Sequence, residues 1–262
     1  MKASPCAWSA TKGTSTRARV SDHFNEQAGW NRSLGSAFTA DLLIRMDGDL
    51  HAGGPVAQLC DGWPGNPRRD ALGLRILGAL HHGVLTGRAP DLAPYYPPEP
   101  ASQGIDEAWA LSRDWLAANL DHVAAFIKRP PQTNETRRAI ALLPGFQQLA
   151  ARFAMPLNLL EIGASAGLNQ NWDRFNYQTK TWSRTGASDV TIFTDWTLPP
   201  PAHLDAEITI AARAACDIDP LDIRDADEAA RLKAYVWPDQ PERLARLDAA
   251  LTLAQESGTR VE

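Results

Sequence analysis

The sequence predicts an α/β protein in which an α-helical N-terminal region precedes an incomplete Rossmann-like parallel sheet with crossover helices. Residues 21–131 show helical spacing of apolar residues and no convincing strand. Residues 132–262 alternate short apolar runs with helical stretches, which is typical of parallel strands joined by crossover helices. The run Leu157–Ile162 ends in an acid and leads into a glycine-rich turn. We expect residues 1–20 to form a disordered tail.

The helical region consists of amphipathic segments separated by glycine and proline. Residues 22–30 can begin a short helix, and Ser21 precedes it as a candidate N-cap. Residues 71–85 and 105–127 place apolar side chains on one helical face. Pro130 and the proline after it end this region, because proline cannot continue a helix.

The second region reads as strand, helix, strand, helix, strand. Its run Leu157–Ile162 is the best strand candidate, and we predict that it is a central parallel strand. The other predicted elements are an amphipathic helix over 136–153, the start of a helix over 167–175, a mostly helical segment over 225–256, and strands over 207–212 and 259–262.

Composition and charge exclude several classes of function. The chain has 262 residues, a net charge of −5 and a pI of about 5.7, which gives no electrostatic reason to expect nucleic acid. Its three cysteines and six histidines follow no metal-ligand spacing, so we expect no metal site. No apolar stretch of about 18 residues predicts a membrane span. We therefore expect a cytoplasmic protein that binds a small-molecule ligand.

The turn after the predicted strand carries the chemistry. It reads Glu161-x-Gly163-x-Ser165-x-Gly167. Glycines let the backbone approach a ligand closely, and a following helix directs unpaired N–H groups at it. The dinucleotide motif GxGxxG fails, because Ser165 and Leu168 replace its second and third glycines. No Gly-Lys-Ser/Thr follows, so a phosphate-binding P-loop is excluded as well.

This turn resembles the first motif of class I S-adenosylmethionine-dependent methyltransferases, in which an acid precedes GxGxG. The resemblance implies that the turn cradles the methionine part of S-adenosylmethionine. A Cβ at Gly163 or Gly167 would then meet the ligand or strain the turn. The departure from the family motif is Ser165, which stands in place of the middle glycine. The cofactor contacts implied are Glu161, Gly163, Ala164, Ser165, Gly167 and Asn169.

In that family a second acid, after the next strand, binds the ribose hydroxyls. Asp217 and Asp219 follow the next plausible strand and are the candidates here. They lie about fifty residues beyond Gly167, against the usual twenty or so, so an insertion must fill the gap. The alternative is that the two aspartates form a turn before Pro220.

Two other functions stay open. Residues 163–167 also read GxSxG, the nucleophile elbow of α/β-hydrolases, which would make Ser165 a nucleophile. That template needs a histidine downstream, and the sequence offers only His203, in a proline-rich stretch. The remaining alternative is a non-catalytic binding module that keeps the fold.

Over most of its length the chain resembles an uncharacterised bacterial family, domain of unknown function 2332. The resemblance is carried by QTNETRR at 132–138, LLEIGASAGLNQNWDRF at 159–175, DIDPLD at 217–222 and VWP at 236–238. It implies a relative of the methyltransferase fold with a helical N-terminal extension and no established activity. Family members continue past the position of Glu262, so we expect a C-terminally truncated, inactive chain that is poorly stable or self-associating.

The polar segment 132–138 and one nearby aromatic residue are candidate substrate contacts. The side chains of Asn134, Glu135 and Arg137 could reach over the loop and bind a substrate carboxylate or phosphate. The alternative is an N-capping turn, with Thr133 or Asn134 as the cap. The aromatic residue either walls the ligand pocket or belongs to the core. The predicted substrate-binding set is Gln132, Asn134, Glu135, Arg137 and Trp172.

Overall fold

The computed structural model describes residues 16–97 and 104–262. Of the predicted disordered tail, residues 1–15 lie outside the described residues, and residues 16–20 belong to the first helix. The described residues form a helical region followed by an α/β region, as the sequence predicted. None of their helices is both long and apolar enough to cross a bilayer.

The helical region packs its α-helices around one buried apolar cluster. Its members include Phe24, Met46, Leu80 and Leu116. Asp49 is buried and accepts a hydrogen bond from the Val56 N–H at 2.8 Å, so it holds the first turn of a short helix. The helices are α1 (Thr16–Ser33), α2 (Ala37–Ala52), α3 (Pro55–Cys60), α4 (Leu72–Leu85), α5 (Ile105–Ala118) and α6 (Leu120–Phe126).

The α/β region is built on two parallel strands. Strand β1 (Leu157–Ile162) pairs with β5 (Ile210–Cys216), from Leu157↔Ile210 to Ile162↔Cys216. A small sheet of order β3 (Ser183–Arg184), β2 (Asn176–Gln178), β4 (Thr191–Phe193) lies in the long connection between them. The elements are α7 (Ala139–Phe153), β1 (Leu157–Ile162), β2 (Asn176–Gln178), β3 (Ser183–Arg184), β4 (Thr191–Phe193), β5 (Ile210–Cys216), α8 (Ala226–Ala234) and α9 (Pro241–Glu256).

Three predictions for this region need correction. The strand predicted at 207–212 is β5, shifted to Ile210–Cys216, because its pairing with β1 sets its ends. The strand predicted at 259–262 is not formed; only Glu262 bonds the end of β5, through Ala215 O and Asp217 N. The prediction that β1 is central is wrong for the described residues, because only β5 pairs with it.

Polar contacts join the two regions where α4 meets α8. The His81 ring bonds Ala234 O at 3.2 Å. The buried Arg231 guanidinium donates to Phe126 O at 2.8 Å and lies over the Phe126 ring, with its central carbon 3.9 Å from the ring centroid. These contacts tie α8, which follows β5, to the helical core.

Gly186 lies between β3 and β4, and a substitution there tests the packing around the small sheet. A Cβ at this position would overlap the carbonyl oxygens of Arg174 and Phe175, which are backbone atoms and cannot rotate away. We expect Gly186→Ala to lower the free energy of unfolding by about 2 kcal/mol or more, because the backbone must shift. The matched control is Gly145→Ala in α7, where a Cβ meets nothing within 4 Å.

That control should raise the free energy of unfolding by about 0.5–1 kcal/mol, since alanine favours a helix interior over glycine. Urea denaturation followed by circular dichroism measures both values. Equal effects of the two substitutions would contradict the packing around Gly186.

Candidate functional site

The loop after β1 lies at the carboxyl end of the two parallel strands, where open α/β sheets bind their ligands. It begins with Gly163 and Ala164, whose N–H groups both donate to Cys216 O, at 2.9 and 3.1 Å. Gly163, Ser165 and Gly167 all have left-handed φ values, of 70°, 57° and 70°. The loop then enters a 3-10 helix over Leu168–Arg174, where the sequence predicted the start of a helix.

Asp217 braces this loop from the end of β5. One carboxylate oxygen accepts the Ser165 N–H at 2.8 Å, and the other accepts the Asp219 N–H at 2.9 Å. The Asp219 and Ser165 N–H groups stabilise the charged carboxylate and lower the pKa of Asp217 below its ordinary value of 3.8. The two predicted readings of Asp217, ligand contact and turn former, are therefore not exclusive, because the turn uses one site on each oxygen.

Residues 129–135, here called the strap, clamp the loop from outside. The Gln132 side chain accepts a hydrogen bond from the Ser165 hydroxyl and donates to Asp219 O at 2.6 Å. The Asn134 side chain accepts the Leu168 N–H at 2.9 Å. Arg129 pairs with Asp219 at 3.1 Å and with Glu228 at 2.7 Å. The side chains of Gln132 and Asn134, which were predicted to contact substrate, are thus hydrogen-bonded to the loop.

Glu135 anchors the strap to α9. Its carboxylate pairs with Arg243 and Arg246, each at 3.1 Å, and accepts the Arg137 N–H at 3.0 Å. Burial alone would raise the pKa of Glu135, but the Arg137 N–H and the two guanidinium groups outweigh it and lower the pKa. The Arg137 guanidinium is exposed and only approaches the Thr194 hydroxyl, at 3.4 Å. Arg137 is therefore the residue of the predicted substrate-binding set that is freest to meet a ligand.

Trp172 belongs to the core in this structure. Its side chain is buried and stacks on Phe146, with ring centroids 4.4 Å apart and planes 14° from parallel. An indole in that position fills the space between α7 and the 3-10 helix. This arrangement matches the alternative that the sequence left open for Trp172.

Glu161, near the end of β1, is half-buried, and Gly163, at the start of the loop, is exposed. Half-burial raises the pKa of the Glu161 carboxyl, and the Gln170 amide, which donates to it at 2.9 Å, partly offsets the rise. Gly163 is exposed, and a Cβ built on it would meet nothing within 4 Å. Ala164 and Ser165 are buried beneath the strap. The exposed backbone of this loop is therefore at Gly163.

Gly167 is required by the turn and by packing. Its φ of 70° would strain any other residue, as the alternative of a strained turn predicted, and a Cβ on it would approach the methyl groups of Thr259 and Val261, at 2.8 and 2.9 Å. Those two residues belong to the segment after α9.

The geometry does not support Ser165 as a nucleophile. Its side chain is buried, and its hydroxyl bonds the Gln132 amide. His203 lines a separate groove of about 1100 Å³ with Met155, Pro156 and neighbouring residues, at the amino ends of the strands. The length of β1 separates that groove from the loop, roughly 20 Å at about 3.3 Å per residue. His203 cannot act as the base for Ser165 across this distance.

Arg129 and Gln170 were missed by sequence reasoning. Arg129 acts through Asp219, 90 residues away in the chain, and no local pattern marks such a pair. Gln170 reaches back nine residues to Glu161, across the turn. Only the folded loop brings either pair together.

Comparison with known proteins identifies one family. The model described as "Uncharacterized protein conserved in bacteria (DUF2332)" matches residues 21–262. No curated protein and no solved structure matches the chain.

The brace at Asp217 predicts a pH-dependent contribution to stability. Asp217→Ala removes the acceptor of two N–H groups and should lower the free energy of unfolding by about 1–2 kcal/mol at pH 7, a value reduced for partial exposure. Because the folded state lowers this pKa, the contribution is present above about pH 4 and is lost as pH falls through the folded-state pKa. Wild type and variant should therefore converge in acid.

Denaturation between pH 7 and 3 measures this gap. The control is Asp205→Ala, an exposed aspartate whose carboxylate bonds none of the residues that the structure describes. A gap between wild type and Asp217→Ala that stays constant with pH would contradict the brace.

The buried hydroxyl gives a second prediction. Ser165 should not react with a fluorophosphonate probe, because no base activates it. Mass spectrometry of the treated protein measures the modification, with a serine hydrolase as the positive control. Labelling at Ser165 that is lost in Ser165→Ala would establish the hydrolase alternative.

Proposed function

The chain belongs to the DUF2332 family, and we propose that it binds S-adenosylmethionine or a related nucleoside at the loop after β1. One observation carries this proposal. Gly163 lies exposed at the carboxyl end of a parallel strand, in a left-handed conformation, with open space over its Cα. A side chain there would fill the space into which a ligand could lie against the backbone.

The carboxylates beside Gly163 suit the two polar ends of such a ligand. Glu161, two residues before it, offers negative charge to the amino group of a methionine moiety. Asp217 uses one acceptor position on each oxygen for Ser165 and Asp219, and a carboxylate has about four. The Ile218 N–H also stabilises this carboxylate, which leaves an acceptor position for a ribose hydroxyl. The Asn169 side-chain oxygen is buried and has no hydrogen-bond partner among the described residues, so a ligand N–H that reached it would satisfy it.

The strap supports binding by holding the loop in one conformation. Gln132 and Asn134 fix the Ser165 hydroxyl and the Leu168 N–H before any ligand arrives. A loop that is already ordered loses little conformational entropy on binding, so more of the contact energy appears as affinity. In this proposal β1, its loop and β5 are the first part of a Rossmann-like, methyltransferase-type site.

A second candidate is a binding module without turnover. It is favoured by the engagement of Gln132, Asn134 and Glu135 with protein groups, which removes them from contact with a substrate. Both candidates share the same ligand. Incubation with methyl-labelled S-adenosylmethionine and a cell extract that supplies methyl acceptors distinguishes them, because only an enzyme moves the label from the sulfonium to an acceptor and leaves S-adenosylhomocysteine.

The exposed glycine provides a direct test. Gly163→Ala should weaken the binding of S-adenosylhomocysteine at least tenfold, which corresponds to about 1.4 kcal/mol, because its methyl group occupies the ligand side of the turn. Isothermal titration calorimetry measures the dissociation constant. The matched control is Gly87→Ala in the helical region, where φ is also 70° and a Cβ also meets nothing within 4 Å.

Both substitutions place alanine in the same strained conformation, so both should lower stability by a similar amount, about 1 kcal/mol. Only Gly163→Ala should change affinity. Unchanged binding in Gly163→Ala would place the ligand elsewhere, and no binding by wild type would refute the proposed ligand.

A further inference from the structure

A cleft opens between β5 and the segment that follows α9. The two meet where the Glu262 N–H donates to Ala215 O at 3.0 Å and accepts the Asp217 N–H on its own carbonyl at 2.9 Å. A cavity of about 460 Å³ lies between them, within the range of roughly 300–1,000 Å³ that is typical of small-molecule sites. This edge cleft is lined by Gln170, Asn171, Arg174, residues 210–215 of β5, residues 257–260 and Glu262.

Arg174 gives the edge cleft a positive charge that the described part of the chain leaves unpaired. It ends the 3-10 helix and is partly buried, and its guanidinium forms no hydrogen bond or ion pair with any residue that the structure describes. A cation that is partly removed from water is normally paired, because its desolvation is otherwise uncompensated. A carboxylate or phosphate that entered the cleft would pair with Arg174, since both groups fit the fork of N–H donors.

The other charges of the lining also favour an anion. Arg213 is already paired with Asp173 at 2.7 Å, so this ion pair adds little net charge. Arg260 adds an exposed guanidinium, and the acid among the lining residues is Glu262, at the end where β5 and the later segment meet. With the Arg213 pair set aside, two cations face one carboxylate.

The wall of the edge cleft is rich in hydrogen-bond acceptors. Asn171 and Gln170 are only 1% and 4% exposed, and their nitrogens donate to the Thr259 hydroxyl and the Glu161 carboxylate, both at 2.9 Å. The amide oxygen of each has no partner among the described residues, which is unusual for buried polar atoms. Strand β5 adds backbone carbonyls, because β1 is its strand partner on one edge only. A ligand that satisfies this wall must bring several donors.

We propose that the edge cleft binds a phosphorylated sugar, with the phosphate on Arg174 and the hydroxyls directed at the acceptors of the wall. Binding includes a small shift of the Gln170 and Asn171 amides that turns their oxygens to the ligand. The β5 residues of the lining extend over roughly 17 Å at about 3.3 Å per residue, so the acceptors are spread along the cleft. Sugar hydroxyls are spread in the same way, whereas a free amino acid concentrates its donors on one nitrogen.

Isothermal titration calorimetry with ribose 5-phosphate tests the ligand class. We expect saturable binding at one site. Ribose lacks the anion and inorganic phosphate lacks the sugar hydroxyls, so each should bind at least tenfold more weakly. Absence of ribose 5-phosphate binding at millimolar concentrations would overturn the proposal, as would tighter binding of L-glutamate, which carries carboxylates and an amino group instead.

Substitution of Arg174 tests the site. Arg174→Gln should weaken the binding of ribose 5-phosphate at least tenfold, and Arg174→Lys should weaken it less, because lysine keeps the charge without the fork. The matched control is Arg69→Gln, which removes one positive charge from an exposed, unpaired position in the helical region and should leave binding unchanged. All three variants should melt close to wild type. Wild-type affinity in Arg174→Gln would contradict the proposed site.

Hydrogen exchange of the wild-type chain locates the ligand without any substitution. Ribose 5-phosphate should slow amide exchange in peptides that cover residues 210–215 and 257–260. Protection confined to other peptides would place the ligand elsewhere and overturn the proposal. Gly163→Ala should bind ribose 5-phosphate as wild type does, and Arg174→Gln should bind S-adenosylhomocysteine as wild type does. This proposal and the proposed function can therefore fail separately.

Discussion

The carboxylate of Asp217 is the contact on which the geometry of the candidate site depends. It fixes the loop after β1 to the turn after β5 by accepting one N–H from each, through Ser165 and Asp219. Ser165 is thereby held in a left-handed conformation, which costs a residue with a side chain roughly 1–2 kcal/mol. With the backbone turned in this way, the Ser165 hydroxyl meets Gln132, and Asp219 meets Arg129. The contacts of the strap with Ser165 and Asp219 therefore depend on this bridge.

Strands and helices were predicted well where they depend on neighbouring residues and less well where they depend on residues far away in the chain. Leu157–Ile162 was predicted residue for residue, because an apolar run between turn signals depends on neighbours alone. The ends of β5 were misplaced, because they are set by pairing with a strand more than 50 residues earlier in the chain. In the site, the loop was found from its glycines, whereas the links of Arg129 and Gln132 to Asp219 depend on the tertiary fold.

The two glycines of the loop show why a motif alone does not assign roles. Gly163 and Gly167 have the same φ of 70°, and both fit the methyltransferase resemblance. Their surroundings differ completely, since one opens to solvent and the other faces Thr259 and Val261. A substitution at Gly167 would therefore disturb packing whatever the ligand, and only Gly163 reports on the space above the loop.

Successive side chains of β1 point to opposite faces of the sheet. This alternation places one set of residues at the site and leaves the other set on an uncovered face. Residues of one parity, such as Glu161, face the 3-10 helix and support the loop. Residues of the other parity, such as Leu160 and Ile162, have no described element over them. A shift of β1 by one residue would exchange these sets and bury neither correctly. The register that places Glu161 beside the loop is therefore also the reason that Leu160 and Ile162 lie on the uncovered face of the sheet.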